Sequence, residues 1–167
     1  MVTAQEQAVR ERLDALEIPY ERHEHPPIAT AESAGEHWTG IVAMHCKNLF
    51  LRNQRGTRHY LVILEYTKRA DLRAVADQIG DGKLSFASPD RLMKCLGVTP
   101  GSVSPFGLIH DHGQHVRVYL DRGLKSATRI SFHPNINTAT FVLALADFER
   151  FLRATGNLVR EVNVDGR

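Results

Sequence analysis

The sequence is poor in features that would settle a function at once. It holds two cysteines, Cys46 and Cys95, and nothing in it marks a disulfide framework, so a reducing cytosol is the default compartment. No apolar run approaches the ~20 residues of a bilayer span, and Met1 to Arg12 is too polar for a secretory leader. The net charge is only +2, without the basic stripe of a general DNA binder. Lys47, Arg52, Arg55 and Arg58 near one hairpin, and Arg69, Arg73 and Lys83 beyond it, are most simply solvated surface charges. That leaves room for a nucleic acid held at one end by a few phosphate contacts. Internal repeats, linkers and low-complexity tracts are missing, as are the H-E-x-x-H and paired C-x-x-C spacings of a zinc site.

What is present is the material for one domain. The 167 residues are 43% hydrophobic and 24% charged, enough to bury a core without disulfides. Thr3-Ala4-Gln5-Glu6 reads as a capping box ahead of a helix with Val9, Leu13 and Leu16 on one face. Ile18 to His25 reads as extended and stops at Pro26-Pro27, and Thr30 caps a second, short helix. Asn48 to Arg52 and Tyr60 to Leu64 pattern as strands around the turn Asn53-Gln54-Arg55-Gly56. Helices follow at Ala70 to Ile79, from Ser88-Pro89-Asp90 to Gly97, and at Asp147 to Ala154, the last with Phe148, Phe151 and Leu152 on one face. Further strands are expected at Gly107 to His110, Val116 to Asp121 and Thr138 to Leu143. Without a regular βαβ repeat, the order predicts a single α+β domain rather than a doubly wound sheet.

Three stretches interrupt these elements. His45-Cys46-Lys47-Asn48-Leu49-Phe50 is polar at the mouth of a strand. Gly97 to Gly107 packs three glycines and two prolines into eleven residues, a loop that exposes backbone N–H groups to a ligand. Phe132-His133-Pro134-Asn135 is a polar knot between apolar stretches. Singly, each has a plain explanation: a surface lysine, a loop, a structural histidine. A thiol reading of Cys46 lacks an identifiable histidine partner, and Cys95 falls with the core of a helix. Nine histidines include His23-x-His25 and His110-x-His112, with His115 near, pairs that a strand would place on one face, but no complete metal-ligand spacing appears.

Together, Lys47-Asn48-Leu49-Phe50-Leu51, the Gly101-Ser102-Val103-Ser104-Pro105 loop and Phe132-His133-Pro134 resemble the YbaK-like family, related to the editing domain of bacterial prolyl-tRNA synthetases. Within it the likeness is to the free-standing, alanyl-specific branch. The resemblance runs from about His25-Pro26-Pro27 to the final helix. It implies one barrel-like, mostly antiparallel mixed sheet with flanking helices, spanning residues 1–167, and no cofactor or metal. It implies hydrolysis of alanine wrongly esterified to the tRNA for proline, with Lys47, Asn48 and His133 catalytic. Gly101, Ser102, Val103, Ser104 and Pro105 line the aminoacyl pocket, and Lys83 faces the tRNA acceptor end. The implied partners are that tRNA and prolyl-tRNA synthetase, not DNA or a membrane. Sister branches that remove cysteine, serine or threonine share the scaffold and the lysine, and a non-catalytic module docking a tRNA or synthetase is the alternative outside enzymes.

Overall fold

The structure, a computed structural model, describes residues 2–27, 38 and 40–166. The short helix expected after Thr30 lies outside them. Helix α1 (Ala4–Ala15) starts as the sequence implies, with the Thr3 hydroxyl accepting from the Glu6 N–H at 3.1 Å. The Glu6 carboxylate does not return to the cap. It is buried and bonded to Arg22 at 2.5 Å and Arg10 at 3.1 Å, which pins α1 to strand β1 (Glu21–Glu24). Burial would raise the Glu6 pKa; the two guanidiniums outweigh it and hold the group below its ordinary value.

Strands β2 (Met44–Asn53) and β3 (His59–Glu65) form the expected hairpin, its turn held by Asn53 Oδ1 accepting from the Thr57 and Arg58 N–H groups. Helix α2 (Leu72–Ile79) is capped by Asp71 and stopped by Gly80 at φ 77°. Strand β4 (Leu84–Phe86) leads to α3 (Pro89–Leu96), capped by Ser88. Two 3-10 turns, Pro100–Ser102 and Pro105–His110, precede β5 (Val116–Asp121), and a third, Arg122–Ser126, follows it. Strands β6 (Arg129–Phe132) and β7 (Ala139–Ala144), helix α4 (Leu145–Thr155) and β8 (Val159–Val162) complete the chain.

The strand expected over Gly107–His110 is therefore a 3-10 helix. Pro105 opens it, the Ser104 hydroxyl accepts from the Phe106 N–H, and Gly107 lies against α3. A methyl on Gly107 would stand 2.8 Å from Leu96 Cβ and 2.9 Å from the Leu96 carbonyl oxygen. Gly107→Ala should thus destabilise by about 1–3 kcal/mol, and a thermal midpoint equal to wild type would contradict this packing.

The sheet order is β1-β7-β6-β2-β3-β5-β8, with β4 attached to β2. β1·β7, β2·β3, β2·β4 and β6·β7 are antiparallel; β2·β6, β3·β5 and β5·β8 are parallel. The result is the mixed α+β architecture expected. One face of β2 and β3 carries Cys46, Phe50 and Ile63 into the main core with Phe106, Phe141, Phe148 and Phe151. The other carries Leu51, Val62 and Leu64 against Val75 and Ala76 of α2. Among the described residues no helix is long and apolar enough to cross a membrane.

Candidate active site

Strand β2 is where the sheet comes apart. It pairs with β6 only at Met44 and His45 and with β4 only at Leu51 to Asn53, and both partners use the same edge. Between them, among the described residues, that edge keeps only the bond from the Ala87 N–H to the Phe50 carbonyl. Lys47 and Asn48 stand in this gap. Strand alternation sends their side chains to opposite faces: Asn48 lies opposite Ile63 on the core side, Lys47 opposite Leu64 on the other. A ligand meets both only by lying in the open edge itself.

On the core side, Asn48 Nδ2 donates to the Val103 carbonyl at 3.1 Å, which ties β2 to the Gly101–Pro105 loop. Its Oδ1 is buried and without a partner, an unmet acceptor of the kind a folded protein rarely leaves. Within the loop Ser102, Ser104 and Pro105 are buried, Val103 is half-buried and Gly101 is exposed. A Cβ on Gly101 would first meet Asn137 Nδ2, at 3.4 Å, so the turn after His133 borders this loop. In that turn Asn135 adopts φ 64°, and both of its buried amide atoms also lack partners.

On the Lys47 side, the end of the sheet carries an aromatic cluster. Trp38 stacks on His45 at 4.3 Å, meets Tyr66 edge-on at 5.0 Å and donates through Nε1 to Thr140 Oγ1 at 3.2 Å. His25 Nε2 lies 2.8 Å from the same hydroxyl, and His133 sits 5.9 Å from the His25 ring and 6.4 Å from Trp38. His133 Nδ1 lies 3.0 Å from the Ala139 carbonyl. A carbonyl only accepts, so Nδ1 carries the proton and Nε2 keeps its lone pair. Burial lowers the His133 pKa, which favours the neutral ring that could take a proton from water. His45 is likewise lowered by burial, donating from Nε2 to the Ile41 carbonyl while Nδ1 accepts from the Ser131 hydroxyl. Lys47 is half-buried and has no ion pair among the described residues.

The profile of the aminoacyl-tRNA editing domain matches residues 25–151. The chain belongs to the aminoacyl-tRNA editing domain family. It is 42% identical over 158 residues to the prolyl-tRNA editing protein ProX of Acetoanaerobium sticklandii, covering 95% of this chain and 96% of that protein. It is 33% identical over 154 residues to the prolyl-tRNA synthetase associated domain-containing protein 1 of Bos taurus, covering 90% of each. A solved structure of a candidate trans-editing enzyme for prolyl tRNA synthetase superposes with a TM-score of 0.71 at 22% identity, covering 98% of this chain and 99% of that one. At that identity the superposition speaks for the fold.

In this editing domain the residues singled out from the sequence are only partly gathered. Asn48 and the Gly101–Pro105 loop meet at the gap, Lys47 stands on its opposite face, and His133 lies in the Trp38 cluster at the end of the sheet. Lys83 does not: it is exposed just before Leu84, whose register partner is Asn53, six residues along β2 from Lys47. At ~3.3 Å per residue that is roughly 20 Å. Trp38, Tyr66, Asn137 and Thr140 carry no sequence motif and appear only once the strands pair. Neither His110 nor His112 lies on a strand, and among the described residues no group of three potential metal ligands is found. Burial raises both thiols, Cys46 strongly, so neither is a thiolate at neutral pH. Cys95 is half-buried and packs against the main core.

The depressed histidines make stability pH-dependent. Below the ordinary imidazole value of 6.5 the unfolded chain takes up protons more readily than the folded one, so stability falls with pH. His59 and His110, also lowered by burial, add to this slope. The thermal midpoint should drop by several degrees from pH 7 to pH 5, at about 2–4 °C per kcal/mol, and less in a His45→Asn variant. A flat profile would contradict the buried neutral rings.

Proposed function

We propose that this editing domain is a free-standing deacylase that hydrolyses alanine from tRNA(Pro) and spares prolyl-tRNA(Pro). The observation that carries this is the open edge of β2, with an unpaired ammonium on one face and, on the other, an unmet amide acceptor beside the glycine- and proline-rich loop. The name of its 42% identical relative supports the choice of a prolyl-tRNA. An aminoacyl ester is already activated, so hydrolysis needs a placed water and stabilised charge more than a strong nucleophile. Water attacks the carbonyl carbon, the negative charge gathers on the carbonyl oxygen, and the bond to the ribose oxygen breaks with that oxygen taking a proton.

Each group has a part in these steps. The Lys47 ammonium is a point charge for the developing oxyanion or the terminal phosphate. The Asn48 carbonyl oxygen accepts from the substrate's α-ammonium. Main-chain groups of Gly101, Ser102, Val103, Ser104 and Pro105 fix the amino acid. His133 Nε2 orients the water and receives its proton, and the adjoining ribose hydroxyl helps to align it. Lys83 contacts the acceptor end. The atoms balance with water alone, so no cofactor or metal is required. Prolyl-tRNA synthetase, which generates the mischarged substrate, is the natural protein partner.

The test is initial hydrolysis rates on tRNA(Pro) carrying alanine, serine, threonine or cysteine at equal concentration. Alanine should lead by at least about tenfold, the value of one well-fitted methyl group or one rejected polar atom. A preference for cysteine, serine or threonine would reassign the substrate, and no hydrolysis of any ester would leave a binding module.

A further inference from the structure

Phe86 is a large aromatic that folding leaves 61% exposed, in the three-residue strand β4. Its surroundings give it a use. Leu84, two residues earlier, is buried with Leu51 and Leu64 in the second core cluster, so Phe86 faces the same side of the sheet. That is the side of Lys47, which lies opposite Leu64 on β3. Phe86 pairs with Leu51, four residues along β2 from Lys47, a run of about 13 Å. At the far end of β4, Lys83 and Arg73 line one groove of about 740 Å³ between α2 and β4, with Asp77 as its acidic member. Neither Lys83 nor Arg73 has an ion pair among the described residues. Along this edge stand, in order, a cation at the gap, an exposed ring, and a groove bordered by Lys83, Arg73 and Asp77.

We propose that Phe86 is a stacking platform for an unpaired base of the single-stranded tRNA acceptor end, with Lys83 and Arg73 holding the phosphates that follow. An aromatic ring set within a line of cations is the arrangement that binds single strands: the ring takes the face of any base and the cations track the backbone. The span from Lys47 to Phe86 suits a few nucleotides of single strand, which places the stacked base short of the terminal adenosine. The choice of RNA rests on the deacylase reading, and Phe86 adds to it a contact for the bases between the ester and the stem.

The probe is an uncharged RNA hairpin with a four-nucleotide 3′ overhang, compared with the same hairpin made blunt, both followed by fluorescence anisotropy. Phe86→Ala should weaken binding of the overhang hairpin about tenfold, as loss of one base–aromatic stack does. Phe86→Tyr should restore it, and the blunt hairpin should be indifferent to both. The salt slope of Phe86→Ala should match wild type, because stacking releases no counterions, whereas Lys83→Ala should lower the slope by about 1. A folded Phe86→Ala protein that binds the overhang as tightly as wild type would overturn the proposal. So would an equal loss on the blunt hairpin, or a wild type that binds neither RNA. A wild type showing these Phe86 effects while hydrolysing no aminoacyl-tRNA would support the platform and defeat the deacylase reading. An active wild type with an indifferent Phe86→Ala would do the reverse.

Discussion

Lys47→Ala should slow hydrolysis of alanyl-tRNA(Pro) by about 10²–10³-fold, the usual loss when one preorganised oxyanion partner is removed. The thermal midpoint should stay close to that of wild type. Lys47 makes no ion pair among the described residues and lies opposite Leu64 on β3, so the fold leans little on its charge. The half-buried position in an open strand edge is what makes the ammonium matter, because a charge partly shielded from water acts on a nearby oxyanion more strongly than a solvated one. Lys47→Met keeps most of the aliphatic stem and should be as slow as alanine. Lys47→Arg keeps the charge but spreads it over a planar fork, and should recover only part of the rate. A folded Lys47→Ala protein working at the wild-type rate would remove Lys47 from the chemistry, and a rate loss matched by unfolding would make it structural.

What the sequence could reveal follows the physics of each element. Helices with caps and stops were legible, since Thr3, Ser88, Gly80 and Gly97 announce their ends by side-chain acceptors and left-handed backbone. Strands β4, β6 and β8 were not, because three or four residues cannot display a period of two. Gly107 to His110 misled for a related reason: a stretch of four residues with two adjacent apolar side chains has no period, and contact with Leu96 decides its conformation. At the site, Lys47, the glycine loop and His133 were visible as motifs. That Lys47 and Asn48 face opposite ways, with the strand edge between them, depends on β6 and β4 sharing one edge of β2, a pairing between distant segments. The Trp38 cluster is likewise built from Thr140, His45 and Tyr66, which meet only after the sheet forms.

Prolyl-tRNA(Pro) should be hydrolysed about 10²-fold more slowly than alanyl-tRNA(Pro), the equivalent of the roughly 3 kcal/mol that forcing extra methylenes into a filled site can cost. A synthetase pocket shaped for proline rejects the smaller alanine by only ~1–3 kcal/mol, so a second site that admits by size is what accuracy requires. The Gly101–Pro105 loop can supply that wall. Its buried residues fix it, the Asn48 amide clamps its centre at the Val103 carbonyl, and Gly101 leaves its exposed end bare. Gly101 has no left-handed backbone to protect, and an added Cβ meets only the Asn137 amide at 3.4 Å, so the fold should accept a side chain there. Gly101→Val should therefore leave the thermal midpoint near wild type while cutting the alanyl rate more than about tenfold, as three added carbons fill the space meant for the substrate. Val103→Ala should act the other way, raising the prolyl rate relative to the alanyl rate at some cost in positioning. Single-turnover rates on the two esters, measured for all three proteins, decide the matter. Comparable wild-type rates on proline and alanine would end the size argument, and a Gly101→Val protein that hydrolyses alanine normally would take the loop out of the pocket.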